Sequence, residues 1–102
     1  MKRLVKASNK YIIYQISNDN DLRRDALMGS EWLEKYNINL SIDDYEKVYE
    51  LQANNLEEVY RILNINHPVD YKARSLSVGD VIYHDGVFYF VDDIGFNTDV
   101  IK

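Results

Sequence analysis

The side chains whose types could support chemistry are two histidines, two loop serines and a few clustered aspartates. His67 precedes a proline and His84 stands beside a predicted turn, and two separated histidines in a chain without cysteine make a poor zinc site. Structural or solvent-facing roles therefore explain both histidines better. Ser75 and Ser77 lack the GxSxG strand-turn-helix context of a hydrolase nucleophile, so we expect them to form hydrogen bonds within their loop.

The aspartates do not complete a metal-binding motif. A run beginning at Asp19 resembles the start of a calcium loop, but Arg24 stands where glycine is required and Ser30 where glutamate is required. The other clustered aspartates are Asp80, Asp92 and Asp93. They could meet at the base of a hairpin around magnesium, but without a phosphate-cradling glycine loop turn capping is the better interpretation. We therefore expect no catalytic residue, no metal and no cofactor, and a protein that is not an enzyme.

Size and composition predict one folded domain over residues 1–102. The chain is 46% hydrophobic and carries nine tyrosines, which is enough apolar material for one core. Since cysteine is absent, a disulfide framework is excluded. No apolar run approaches the length of a membrane span and no secretion signal is recognisable, so we expect a cytoplasmic protein with no membrane partner.

Charge is unevenly distributed along the chain, whose formal net charge is −5. The first ten residues carry only positive charges, on Lys2, Arg3, Lys6 and Lys10. The middle is acidic, with Lys47 as the sole basic residue among Asp43, Asp44, Glu46, Glu50, Glu57 and Glu58. Such a body repels a phosphate backbone but is attracted to a basic groove. It could therefore block a protein that normally binds nucleic acid, although acidity for solubility alone gives the same pattern.

The first elements that must position these residues are a strand and a helix. Residues 10–16 are rich in β-branched and aromatic side chains and predict a buried strand. A helix is predicted next, because apolar or small residues recur at helical spacing at Leu22, Ala26, Gly29, Leu33 and Tyr36. Residues 19–21 offer an N-cap for it. Gly29 and Ser30 predict a kink or break in this helix.

Residues 41–52 fit two secondary structures. Ser41 and Asp44 have the spacing of a capping box, which favours a helix, whereas the alternation around Tyr45 and Tyr49 favours a strand. The strand is the preferred prediction. A clear helix follows, with Asn54 as N-cap and Glu57 at its third position, and it ends before Pro68.

The C-terminal third contains a hairpin whose register follows from its turn. Asp85 and Gly86 form a two-residue turn signal, which pairs His84 with Val87 and, further out, Val81 with Phe90. Both faces of this hairpin are substantially apolar, so we expect cover on both sides. The elements together predict a single small domain, mostly antiparallel sheet, with a C-terminal β-hairpin packed by two helices.

The tyrosines are too numerous for so small a core to bury completely. Tyrosine is enriched at protein interfaces because its ring is apolar and its hydroxyl is polar. We expect Tyr45 and Tyr49, which lie within the acidic segment, to act as anchors for a protein partner.

The C-terminal third resembles the YodL-like domain, which occurs in proteins of Firmicute plasmids, phages and conjugative elements. The pattern is HPxDYxxRSLSVGDVI followed by an aromatic strand and DxxGF, and Asp93 departs from it where a small or uncharged residue is expected. The matching residues are His67, Pro68, Asp70, Tyr71, Arg74, Ser75, Leu76, Ser77, Val78, Asp80, Val81, Ile82, Tyr89, Val91, Asp92, Gly95 and Phe96. A more diffuse likeness covers residues 11–63. The resemblance implies an α+β fold without catalytic residues.

A small acidic domain of this kind is also similar to anti-CRISPR proteins of such mobile elements. The resemblance implies that the protein inhibits a type II-A CRISPR effector nuclease by interfering with guide RNA loading, so that RNA is affected only indirectly. The residues expected to bind the nuclease are Asp43, Asp44, Tyr45, Glu46, Tyr49, Glu50, Glu57 and Glu58.

Other functions remain open on the sequence. A regulator that binds guide RNA directly would use Lys2, Arg3, Lys6, Lys10, Lys72 and Arg74. An enzyme that cuts guide RNA would need an acid-base cluster, which this sequence does not show. An accessory role in plasmid transfer is the last alternative.

Overall fold

A five-stranded antiparallel sheet organises the chain, with strand order β2-β1-β3-β4-β5. The computed structural model describes residues 9–101. Their elements are β1 (Lys10–Gln15), α1 (Leu22–Ala26), α2 (Ser30–Lys35), a 3-10 turn (Ile42–Asp44), β2 (Glu46–Gln52), α3 (Leu56–Asn64), β3 (Val81–His84), β4 (Val87–Val91) and β5 (Phe96–Asn97). The predicted α+β class is confirmed. None of the helices within this described part is long and apolar enough to cross a membrane.

Both faces of the sheet are covered, as the hairpin pattern predicted. Val81 and Ile82 are neighbours in β3, so their side chains point to opposite faces, and each enters a different buried cluster. Ile82 packs with Val59 and Leu63 of α3. Val81 packs in the cluster that contains Ala26 of α1 and Leu33 of α2. The sheet therefore lies between α3 on one side and α1 with α2 on the other.

The hairpin has the register that its turn predicts. β3 and β4 pair Val81 with Phe90 and His84 with Val87, with the two intermediate pairs also as expected. Asp85 and Gly86 have φ angles of 46° and 84°, which is the left-handed backbone that a two-residue hairpin turn requires. This turn chemistry is local, so the sequence alone fixes it.

The predicted long helix is two short helices divided at Gly29. Gly29 has φ 90°, and a Cβ atom there would lie 2.5 Å from Oδ2 of Asp93, so the position requires glycine. Asp92 caps α2 from the far end of the chain, because its Oδ1 accepts from the Ser30 backbone N–H at 3.0 Å. The domain thus contains three α-helices in its described part rather than the two that were predicted.

Both patterns in residues 41–52 are used, one after the other. Ser41 and Asp44 form the capping box, but it closes only a 3-10 turn before the preferred strand, β2, begins. The predicted cap of α3 is wrong by one residue. Asn55, not Asn54, accepts from the Glu58 backbone N–H at 2.8 Å, and the Glu58 carboxylate accepts from the Asn54 N–H. Two adjacent asparagines offer the same cap chemistry, so sequence does not separate them.

Candidate functional site

The loop between α3 and β3 contains a carboxylate that is almost fully buried. Asp80 is 3% exposed, and its Oδ2 accepts from the Ser77 backbone N–H at 2.9 Å and from Gln15 Nε2 at 3.1 Å. Burial raises the pKa of Asp80 to about 6, although the hydrogen bonds and nearby Arg74 oppose the shift. Asp80 therefore links the loop to β1 instead of facing a ligand.

Arg74 turns inward beside this carboxylate. Its Nη2 donates to the Ile16 carbonyl at 2.9 Å and lies 3.7 Å from Oδ1 of Asp80. The Arg74 carbonyl accepts from Gln15 Nε2 at 3.0 Å and from the Tyr71 hydroxyl. These contacts hold the partly exposed guanidinium against the end of β1. Arg74 is therefore engaged within the domain, and its expected contact with nucleic acid stays a prediction.

Three further contacts close the same loop. The Asn64 amide donates to the Leu76 carbonyl at 2.9 Å and accepts from the Leu76 N–H at 2.7 Å. The Tyr45 hydroxyl donates to the Gly79 carbonyl at 2.6 Å. Gly79 has φ 97°, and a Cβ atom there would lie 2.8 Å from the carbonyl carbon of Ala26. The loop is thus held against α1, α3 and the start of β2.

The acidic segment occupies one edge of the sheet and reaches both of its sides. β2 pairs only with β1, so its outer edge is unpaired within the described sheet. Tyr49 and Leu51 pack against the cluster under α3, hence Glu50, which lies between them, points to the opposite side. Glu57 and Glu58 follow β2 in the first turn of α3. The carboxylates therefore lie partly at the β2 edge and partly on α3, and they do not form one flat patch.

About half of these carboxylates have local partners. Glu50 is bonded to Lys47 and lies 3.6 Å from Lys10, and the Lys47 hydrogen bond is the main cause that lowers the pKa of Glu50. Asp44 accepts from the Ser41 N–H, and Glu58 lies 3.6 Å from Arg61. Among the six carboxylates expected to bind the nuclease, Asp43, Glu46 and Glu57 are exposed, and their side chains have no hydrogen bond or ion pair within residues 9–101.

The two tyrosines expected as anchors are placed differently. Tyr45 is buried in the cluster under α1 and α2, and burial raises the pKa of its hydroxyl, so it is not an exposed anchor. Tyr49 is half-buried and donates to Asp70 at 2.6 Å, a hydrogen bond that raises the pKa of Tyr49 to about 12. Tyr36 and Tyr60 are the strongly exposed tyrosines of the described chain, although helical spacing placed Tyr36 among the apolar positions of the predicted helix.

The loop and the hairpin described above lie within the region that a family comparison matches. The model of the YodL-like domain matches residues 10–100, which is nearly the whole chain. The chain belongs to the YodL-like domain family. No curated protein and no solved structure matches it. In this YodL-like domain, the motif from Arg74 to Asp80 is explained by loop closure.

The histidines and the remaining cations have separate environments. His84 Nδ1 lies 2.9 Å from the Lys10 carbonyl and its ring stacks on Tyr11, whereas His67 packs edge-on against Tyr71. Within residues 9–101 no group of three His, Cys, Asp or Glu side chains is arranged to hold a metal. Among the basic residues expected to bind nucleic acid, Lys72 is exposed. Lys2, Arg3 and Lys6 lie outside the described residues.

Proposed function

We propose that this YodL-like domain is an anti-CRISPR protein of a mobile genetic element. It inhibits a type II-A CRISPR effector nuclease in the cytoplasm of the bacterial host. The mode of action is occupation of the basic guide RNA channel, which prevents loading of the guide. The observation that carries the proposal is the set of exposed carboxylates at the start of β2 and in the first turn of α3.

Charge complementarity supports this reading. Asp43 precedes β2 and Glu46 begins it, so these two exposed carboxylates lie at one end of the edge strand. Glu57 lies in the first turn of α3 and lines a groove with Val91 of β4 and Phe96 of β5. A channel that encloses an A-form heteroduplex presents positive charge from more than one side, and exposed carboxylates at separate places on the domain suit such a channel better than one flat acidic patch does.

Direct binding of guide RNA has weaker support. That function needs several cations on one surface. Arg74 directs its guanidinium to Ile16 and Asp80, and Lys10 lies beside Glu50. Two of the expected cations are thus engaged within the domain, and net charge disfavours a phosphate backbone.

An order-of-addition assay tests the proposal. Apo nuclease is mixed with the protein, guide RNA is added next, and target DNA cleavage is measured; a parallel sample receives the guide first. We expect loss of cleavage when the protein comes first and near-normal cleavage when the guide comes first. Full guide assembly and cleavage in both orders would overturn the proposal.

A charge variant identifies the surface responsible. The triple variant Asp43→Asn/Glu46→Gln/Glu57→Gln removes the three exposed carboxylates without touching a core residue. We expect the inhibitory concentration of the triple variant to be at least tenfold higher than that of the wild type at low salt. The ratio should be smaller at high salt, because salt screens the attraction between the carboxylates and the nuclease. The matched control is Glu34→Gln, an exposed carboxylate of α2.

A further inference from the structure

A small cavity of about 10 Å³ lies between α1 and the loop that precedes β3. Its lining includes the apolar residues Ala26 and Val78 and three charged residues, Arg23, Arg74 and Asp80. A cavity of about this size holds a single water molecule, provided that polar groups are present to bind it. The hydrogen-bonding state of the three charged side chains therefore decides what the cavity binds.

Two of these side chains each bury an N–H group that has no hydrogen-bond partner. The groups are the Nε–H of Arg23 and the Nε–H of Arg74, and within residues 9–101 they are the two buried side-chain polar atoms of this kind. A buried N–H group without an acceptor is costly, so folded proteins almost always supply an acceptor, from the protein or from ordered water. Because both groups belong to the lining of one cavity, a single shared acceptor accounts for them.

Asp80 supplies the complementary group. Its Oδ2 accepts two hydrogen bonds, whereas its Oδ1 lies 3.7 Å from Nη2 of Arg74, which is too long for a direct hydrogen bond. A water molecule between two polar groups satisfies both almost as well as a direct hydrogen bond does. Burial raises the pKa of Asp80, and the positive charges of Arg74 and Arg23 both act against this rise, so both arginines lie near the carboxylate.

We infer that this cavity is a binding site for one structural water molecule. The water accepts from the Nε–H groups of Arg23 and Arg74 and donates to Oδ1 of Asp80, which gives it the three hydrogen bonds typical of a buried water. A halide ion could accept from both N–H groups, but the negative charge of Asp80 repels it. A neutral molecule that both accepts and donates therefore fits the three groups better than an anion does.

The bound water joins α1 to the loop between α3 and β3, because Arg23 belongs to the helix and the other two residues belong to the loop. The motif from Arg74 to Asp80 is thus held to α1 through this water and to Gln15 of β1 through direct hydrogen bonds. The site uses none of the carboxylates on which the proposed function depends, so either can fail without the other.

A crystal structure of the full chain, grown from a bromide salt, tests the site and identifies its occupant. We expect a density peak within about 3.2 Å of Nε of Arg23, Nε of Arg74 and Oδ1 of Asp80, without anomalous signal at the bromine absorption edge. An anomalous peak at this position identifies an anion and overturns the inference. The lack of any peak beside well-ordered arginines, or a direct hydrogen bond from either Nε–H to a protein acceptor, overturns it as well.

Magnetic relaxation dispersion of ¹⁷O in the solvent measures long-lived bound water in solution. The variant Arg23→Met removes one of the two donors, so we expect its profile to lose the contribution of one long-lived water molecule. Arg24→Met is the matched control, since Arg24 is an exposed neighbour that does not line the cavity, and it should match the wild type. The ¹⁵N spectrum reports whether each variant is folded, and Arg23→Lys, with a methylene at the Nε position, replaces Arg23→Met if it is not. Identical profiles for the wild type and the folded Arg23 variant contradict the assignment.

Discussion

Asp80 should make the protein less stable as the pH rises, which is the reverse of the usual behaviour of a carboxylate. Its pKa is about 6 in the folded state, against 3.8 for the unperturbed side chain. The folded state therefore binds the proton more tightly than the unfolded chain does. Between these two pKa values the folded state holds more protons, so the free energy of unfolding falls as pH increases.

The magnitude follows from the size of the shift. A difference of about two pKa units corresponds to roughly 3 kcal/mol over the whole titration, of which about 2 kcal/mol falls between pH 4 and pH 6.5. The conversion applies because Asp80 is 3% exposed and its carboxylate is poorly screened by solvent. Stability from this group is therefore fully present below pH 4 and lost above pH 6.

The substitution Asp80→Asn isolates this contribution. An amide oxygen can still accept from Ser77 and Gln15, but the side chain no longer titrates. Its effect at a single pH also includes the loss of the counter-ion of Arg74, so the informative quantity is the change with pH. Relative to wild type, the variant should gain about 2 kcal/mol in unfolding free energy from pH 4 to pH 6.5.

Urea unfolding followed by tryptophan fluorescence and circular dichroism at four pH values between 4 and 7 measures this difference. Asp19→Asn, at an exposed turn position, is the control and should show a constant difference from wild type. If the difference between wild type and Asp80→Asn stays constant over the same range, or changes in the opposite direction, the assignment of a raised Asp80 pKa is refuted.

Two other substitutions test the loop and the helix cap. Gly79→Ala should destabilise the fold by about 2–4 kcal/mol, because the new Cβ meets the backbone of Ala26 at a positive φ; a loss below 1 kcal/mol in thermal unfolding would contradict the close contact. Asp92→Ala should cost about 1–2 kcal/mol at neutral pH, because it removes the cap of α2. Burial acts to raise the pKa of Asp92, but hydrogen bonds from Ser30, Asp93 and Asn97 outweigh it and lower that pKa, so the cost should shrink as pH falls below about 4. The neighbouring Asp93→Ala should change stability by less than 0.5 kcal/mol, roughly the level of an ordinary surface substitution.

The sequence by itself determined the features that depend on neighbouring residues. The Asp85-Gly86 turn sets the register of β3 and β4, and Gly29 sets the break between α1 and α2, because both depend on backbone angles that few residues adopt. The same periodic patterns predicted individual strands and helices, and the family resemblance implied the α+β class. The cap of α3 was misplaced by one position because adjacent residues offered equal chemistry.

Only the tertiary structure decided which polar side chains face inward. Tyr45 and Arg74 looked available for a partner, yet Tyr45 donates to Gly79 and Arg74 donates to Ile16, contacts that span 34 and 58 positions of the chain. Glu57 and Phe96 likewise line one groove between α3 and the turn that follows β4, although they are distant in sequence. Local pattern reports backbone preference and apolar periodicity. The partner of a polar group depends on which elements pack against it, and that is a property of the folded chain.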